Sequence, residues 1–203
     1  MSDSKKTFEK KGLLFIITGA SGVGKGTVHN ALMQRNINLH KSISVTTRKP
    51  RSGETHGVEY FFCDGEQFED MLSQGKFLEH AKVYGNCYGT LRETVLQNLN
   101  QNKDTLLEID LDGARQIKSQ FGDEAVWIFI MPPDLDTLVE RLNQRNTDDE
   151  ATKKLRLSLY DAELRQGKLA DFVIVNDNLQ SCVNSVVQII LDKRQQVGKP
   201  SIG

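Results

Sequence analysis

An α/β fold, a parallel sheet covered by helices, is predicted by three features of the 203-residue sequence. An apolar run at 13–17 (Leu13, Leu14, Phe15, Ile16, Ile17), bounded by Gly12 and Gly19, has the continuous hydrophobicity of a strand buried on both faces. Gly19, Gly22 and Gly24 follow directly, and Val28, Ala31 and Leu32 then mark one face of a helix over 27–34. Further on, apolar strands at 104–109, 125–131 and 172–175 alternate with helical stretches, the rhythm of parallel strands joined by helices.

The loop after the first strand carries the clearest chemistry. It reads Gly19, Ala20, Ser21, Gly22, Val23, Gly24, Lys25, Gly26, Thr27, and its Gly-x-x-x-x-Gly-Lys spacing is that of a phosphate-binding loop in the strand–loop–helix context such a loop requires. Glycines admit positive φ and let several N–H groups converge on one point. The following helix aims its N-terminus at the same point, and Lys25 adds a full positive charge for the β- and γ-phosphates of a nucleotide. The position after the lysine ordinarily holds Ser or Thr; here it is Gly26, so Thr27 is the candidate hydroxyl for a magnesium shell. A plain turn between core elements would bury that lysine without an anion, which is costly.

Taken in order, residues 1–10 are polar and read as a loose tail, and 42–47 as a short strand. A basic loop with Pro50 and Gly53 follows, then a β-branched and aromatic strand at 58–63. Phe68, Met71 and Leu72 make a helix of 67–74; 77–84 reads as a strand, Gly85 and Asn86 as a turn, and 91–100 as a helix through Leu91, Val95, Leu96 and Leu99. After the strand at 104–109 a helix carries Ala114, Ile117 and Phe121; the strand at 125–131 is stopped by Pro132 and Pro133. Leu135, Leu138, Val139 and Leu142 mark the next helix, with Asp134 or Asp136 at its start; 143–151 is polar, and 152–166 is helical. Val183, Val186, Val187, Ile190 and Leu191 place a last amphipathic helix at 179–196. Residues 42–89 break the α/β rhythm and read as an inserted lobe with a mixed sheet.

Composition narrows the class. The net charge of −1 argues against nucleic-acid binding driven by bulk charge, and no apolar run approaches the roughly 20 residues of a membrane helix. The polar N-terminus lacks the apolar core of a signal peptide. Cys63, Cys87 and Cys182 are widely separated, and His29, His40, His56 and His80 lack metal-site spacing, which fits a reduced, cytoplasmic setting without structural metal.

Chemistry beyond the loop should gather at the carboxyl ends of the parallel strands. Asp110 ends one of them and is suited to orient magnesium through water or to bind a substrate donor; a helix N-cap is the competing use, stronger for Asp112 than for Asp110. Arg48 and Arg51 sit on the basic loop, Arg141 and Arg145 lie four apart on one helical face, and Arg156 follows the polar excursion. Phosphoryl transfer needs such cations, because charge spreads over the transferring oxygens, and guanidinium forks suit the task. Ser44, Tyr60, Glu79, Tyr88 and Thr90 could serve a planar base or a phosphate, but Tyr60 and Tyr88 are individually more often packing residues and Glu79 a surface charge, and sequence pattern alone does not pick out these five.

The chain resembles guanylate kinase over nearly its whole length, from Gly12 to the final helix. The residues carrying the resemblance are the loop at 19–27, Ser-Val-Thr-Thr-Arg-Lys-Pro-Arg-Ser-Gly-Glu at 44–54, Gly-Val-Glu-Tyr-Phe-Phe at 57–62, Phe-Leu-Glu-His-Ala at 77–81, Gly-Asn-Cys-Tyr-Gly-Thr at 85–90, Leu-Glu-Ile-Asp-Leu-Asp-Gly at 107–113 and Ile-Val-Asn-Asp at 174–177. The Thr-Thr-Arg-x-Pro-Arg element is far more specific than the phosphate loop. The resemblance implies a P-loop NTPase core (11–41, 90–142 and 157–197), an inserted mixed-sheet GMP-binding lobe (42–89) and a small lid (143–156). It implies transfer of the γ-phosphoryl group of ATP to GMP, giving ADP and GDP, in purine nucleotide metabolism, with Mg2+ and ATP as co-substrate. By matching position, Ser44, Arg48, Arg51, Tyr60, Glu79, Tyr88, Thr90, Glu108 and Asp110 form the GMP site, with Arg48, Arg51, Tyr60 and Tyr88 on its phosphate and Glu79, Ser44 and Thr90 on guanine. Lys25, Arg48, Arg141, Arg145 and Arg156 are implied to stabilise the transferring group. Residues 19–27 and Asn176 are implied to hold ATP; the departure at Gly26 leaves the magnesium contact open between Thr27 and Asp110, the candidates read from the residues.

Three rival readings are weaker. A protein-interaction scaffold would have lost the phosphate loop, and Lys25 with its glycines is present. A kinase for another nucleoside monophosphate fits Glu79 poorly, because a carboxylate accepts two N–H bonds from guanine and adenine offers no such pair. A nucleotide switch lacks the 44–54 and 85–90 elements.

Overall fold

The structure is a computed structural model that describes residues 12–35, 37–144 and 150–200; the expected tail at 1–10, Arg145 and residues 145–149 of the expected lid lie outside the described residues. Two sheets organise it. The first contains β1 (Leu14–Gly19), β2 (Leu39–Lys41), β7 (Asp104–Glu108), β8 (Ala125–Met131) and β9 (Phe172–Val175), all parallel, in the order β2-β7-β1-β8-β9. The second contains β3 (Ser44–Thr46), β4 (Phe61–Phe62), β5 (Phe77–Val83) and β6 (Asn86–Leu91) in the order β4-β3-β6-β5, mixed in direction. The helices are α1 (Lys25–Met33), α2 (Gly65–Ser73), α3 (Arg92–Asn100), α4 (Leu111–Phe121), α5 (Leu135–Gln144), α6 (Glu150–Gly167) and α7 (Leu179–Gln196).

The apolar run of β1 is explained by what lies on its two sides. Phe15 and Ile17 enter one core with Val28 and Leu32 of α1, Leu138 of α5 and Val186 and Ile190 of α7. Leu14 and Ile16, one residue out of phase, enter the other with Val95 and Leu99 of α3 and Ile117 of α4. Both faces are therefore buried, and neither can carry a polar residue without a partner. Trp127 obeys the same rule, its Nε1 donating to Thr18 Oγ1 at 2.8 Å inside the protein. Buried Asp104 ties the chain ends together, accepting from Leu13 N at 2.8 Å, Arg194 Nε at 2.7 Å and Lys199 Nζ at 2.6 Å.

The second sheet has its own small core of Val45, Phe68 and Phe77 against α2, whose start is fixed by a capping box of Asp64 and Gln67. Its edge strand β5 faces α4. Gln116 exchanges two bonds with the His80 backbone, at 3.2 and 2.7 Å, and Gln120 Nε2 donates to Leu78 O at 2.8 Å. The free edge is thereby satisfied and docked on the parallel sheet's helix layer.

The departures from expectation lie in the mixed sheet and at β2, the edge of the parallel sheet. The strand expected at 42–47 is only β3, and the one at 58–63 is only β4. β2 and β6 were not expected at all. β2 is a short edge strand of Leu, His and Lys with no alternation to read. β6 contains Asn86 and Gly89, poor strand formers on propensity. Gly89 is needed because a Cβ there would meet the Phe77 ring at 2.6 Å. The β5–β6 turn is Tyr84-Gly85 rather than Gly85-Asn86.

Candidate active site

The phosphate loop closes over its own backbone. Gly22 and Gly24 have φ of 93° and 95°, and Gly24 is the residue from which α1 departs. Lys25 Nζ donates to the carbonyls of Gly19 (2.6 Å) and Ala20 (3.2 Å), so the ammonium is held across the loop mouth where an anion would sit. Beside it is a cleft of about 330 Å³ lined by Gly22, Val23, Gly24, Thr27, Arg141, Asn176 and Leu179. Asn176 is buried at the end of β9 and donates through Nδ2 to Val23 O at 2.8 Å; Arg141 bonds Asn176 O at 2.9 Å and Val23 O at 3.3 Å. A larger hollow of about 500 Å³ opens beyond Leu179, toward Gln34 and Asn178; its one cation, Arg35, already bonds Asn184 Oδ1 at 3.0 Å.

The other arginines approach from two directions. Arg156, on α6, donates to Ser21 Oγ in the phosphate loop, and its guanidinium lies 4.7 Å from the centre of the Tyr84 ring. Arg48 is held in a two-pronged pair with Glu54 at 2.9 and 2.8 Å and lies over Tyr60, 5.3 Å from its ring centre. Burial works against the charge on Glu54, and its bonds to Arg48 and to the Arg51 backbone hold it below the usual carboxylate range all the same. The Arg51 side chain is exposed. Tyr60 and Tyr88 meet edge to face at 6.0 Å, and burial pushes the Tyr60 hydroxyl up to about 12.

Register brings Ser44, Thr90 and Glu79 together. Thr90 of β6 lies opposite Ser44 of β3 on one side and Glu79 of β5 on the other, so the three form one row across three strands. A register shift between Phe77 and Glu79 breaks the alternation of β5, so Phe77, Leu78 and Glu79 are all buried in succession. Thr90 Oγ1 donates to Glu79 Oε1 at 2.5 Å. The second oxygen of Glu79 lies against the start of α4, where a Cβ on Gly113 would come within 2.3 Å of it. Burial, and the neighbouring Asp110 charge, push the Glu79 carboxyl up to about 7. A desolvated carboxylate held this way is poised to accept paired N–H donors from a ligand edge.

Glu108 and Asp110 end β7 between the two sites. Glu108 Oε2 bonds His29 Nδ1 at 2.9 Å, and Oε1 faces Gly26, 3.7 Å from where its Cβ would be. Burial works to raise Glu108, yet the bond from His29 holds it below the usual range. Asp110 caps α4, its Oδ1 accepting from Gly113 N at 2.7 Å, so the cap is Asp110 and not Asp112, whose side chain pairs with Arg115. Burial raises the Asp110 carboxyl. Thr27 is exposed on the cleft, and among the described residues no group of three acidic, His or Cys side chains could cage a metal. A magnesium ion carried mostly by phosphate oxygens and water needs no such cage.

Three residues in this arrangement have no counterpart in the sequence reading. Glu54 lies inside the basic loop and could have been paired with Arg48 by charge alone. His29 and Glu163 could not, because each meets a residue remote in the chain: His29 meets Glu108, and Glu163 Oε2 accepts from Ser21 N at 3.1 Å.

Comparison with known proteins agrees with this geometry. The family model described as guanylate kinase matches residues 11–193. A guanylate kinase of Clostridioides difficile is 41% identical over 192 residues, covering 95% of this chain and 93% of that one. One of Syntrophomonas wolfei is 44% identical, covering 93% and 96%. The crystal structure of guanylate kinase from Anaplasma phagocytophilum superposes with a TM-score of 0.75 at 32% identity, covering 91% of this chain and 87% of that one.

Proposed function

The chain belongs to the guanylate kinase family and transfers the γ-phosphoryl group of ATP to GMP, giving ADP and GDP, and on that premise we propose how its residues divide the work. The observation that carries the proposal is the Ser44–Thr90–Glu79 row standing across β7 from an intact phosphate loop. Guanine presents an N–H and an amino group on one edge, and Glu79 accepts from both while Ser44 and Thr90 flank it. The GMP phosphate lies against Tyr60, Tyr88, Arg48 and Arg51, and Arg48 exchanges its Glu54 partner for it. Glu108 and Asp110 bound the acceptor on the β7 side.

ATP lies along residues 19–27, its adenine in the cleft beside Asn176 and Arg141. An oxygen of the GMP phosphate attacks the γ-phosphorus; that P–O bond forms as the bond to the β–γ bridging oxygen breaks, and ADP leaves with the electron pair. No covalent enzyme intermediate is needed. Lys25, Arg48, Arg141, Arg145 and Arg156 meet the charge that spreads over the transferring oxygens. Thr27 and Asp110 would stand beside a Mg2+ ion bound with ATP, which would supply positive charge against the phosphate oxygens. Residues 42–89 act as the GMP-binding lobe and 143–156 as a lid, and their closure excludes water. The protein acts in the cytoplasm on free nucleotides. No described helix is long and apolar enough to cross a membrane.

The test is ADP production from ATP with GMP, AMP, CMP or UMP as acceptor, with and without a magnesium chelator. Fast turnover with GMP alone, abolished by chelation, is the expected result. Equal rates with AMP would remove Glu79 from guanine recognition.

A further inference from the structure

The tip of the β5–β6 hairpin holds a conformation its residues should avoid. Val83 pairs with Asn86, which leaves a two-residue turn of Tyr84 and Gly85 with φ of 48° and 82°. Two successive positive φ values make a type I′ turn, whose first central position favours Asn, Asp or Gly. Tyrosine there carries the clash of its Cβ with the backbone carbonyl that left-handed geometry imposes. Apolar packing does not explain the choice. The core of this sheet is Val45, Phe68 and Phe77 against α2, whereas the Tyr84 ring is half-buried under a guanidinium.

That guanidinium belongs to Arg156, 4.7 Å from the ring centre. The same group donates to Ser21 Oγ in the phosphate loop, and Glu163, two turns along α6, accepts from Ser21 N at 3.1 Å. One side chain thus touches the hairpin tip of the mixed sheet and the phosphate loop of the parallel sheet. An aromatic face suits this task for a physical reason. It orients the planar fork without cancelling its charge.

We infer that Tyr84 is a positioning residue for phosphoryl transfer, a shelf that aims Arg156 at the phosphate loop, and that the strained turn persists because it places the ring there. The inference rests on the reading of Arg156 as a cation at the transferring group.

The experiment compares Tyr84→Asn, Tyr84→Phe, Arg156→Ala and the double variant Tyr84→Asn/Arg156→Ala, by kcat at saturating ATP and GMP, KM for GMP, and thermal melting. Asn suits left-handed backbone, so Tyr84→Asn should melt at or above the parent temperature while kcat falls about tenfold and KM for GMP stays within about twofold. Tyr84→Phe should keep kcat within about twofold, because the ring remains. In the Arg156→Ala background Tyr84→Asn should cost nothing more. If Arg156→Ala is crippled and Tyr84→Asn keeps parental kcat, the shelf is refuted and the role of Arg156 stands. If Arg156→Ala itself keeps parental kcat, the reading beneath the inference is refuted. A rise in KM for GMP without a fall in kcat makes Tyr84 a GMP contact and overturns the shelf. So does an equal loss in both backgrounds, or a Tyr84→Asn that melts well below the parent.

Discussion

The two halves of the site are built by opposite means. Around the phosphate loop, the binding groups are backbone N–H donors and a lysine drawn from one contiguous stretch, shaped by positive φ at Gly22 and Gly24. Around Glu79, they are side chains from three strands, brought level by cross-strand register and a β-bulge. The first half binds charge and is cationic. The second recognises an edge and is built on a carboxyl whose burial raises it to about 7. The contrast teaches that affinity for phosphate is obtained locally and cheaply, whereas base recognition requires a desolvated acid that the rest of the fold must hold in place.

Removing Lys25 should break the comparison most severely on the phosphate side. Lys25→Ala is expected to lower kcat by about 10³-fold or more while leaving GMP binding, measured by calorimetry, unchanged. On the base side the corresponding change is Glu79→Gln. It should lower kcat/KM for GMP by about 10²-fold, because the amide offers a donor where an acceptor is required, and leave ATP binding intact. It should also stabilise the free protein at pH 8. The folded Glu79 pKa lies above its unfolded value of 4.5, so folding takes up protons between about 4.5 and 7. Stability from this residue is therefore greatest below about pH 4.5 and is lost as pH rises toward 7; removing the charge restores on the order of 1–3 kcal/mol above that range. Denaturant melts of both proteins at pH 5 and pH 8 measure the difference.

Gly113→Ala sharpens the comparison without replacing a functional group. Its Cβ would press on Glu79 Oε2 from 2.3 Å, so the carboxylate must turn out of its row. KM for GMP should rise about tenfold with KM for ATP unchanged. An equal rise in both would mean that the two halves are not independent. An effect of the same size is that of pH on the parent protein. GMP needs the ionised Glu79, so its Kd should tighten by about tenfold from pH 6 to pH 8, and Glu79→Gln should abolish the trend.

How much of this was legible follows the same division. The phosphate loop, β8 and β9 were read from sequence to within a residue or two, because a continuous apolar run and a glycine motif are local signals. The sequence marks Asp110 as a strand-end acid and weighs a cap more heavily for Asp112 than for Asp110; the structure gives the cap of α4 to Asp110, because capping depends on where the helix starts by a single residue. In the mixed sheet, β6 went unread. Its glycine is poor strand chemistry, and the reason for it, the Phe77 ring lying on Gly89, exists only once β5 and β6 are paired.

The sequence by itself determined the fold class, the phosphate loop and the family of the chain. These rest on periodicity, on the unique backbone freedom of glycine, and on motifs whose residues are neighbours in the chain. Only the tertiary structure decided that Ser44, Thr90 and Glu79 form one row, that His29 holds Glu108, that Glu163 reaches Ser21, and that Arg156 rests on Tyr84. Each of those contacts joins segments from different parts of the chain, and their energies come from burial and alignment that no local pattern records.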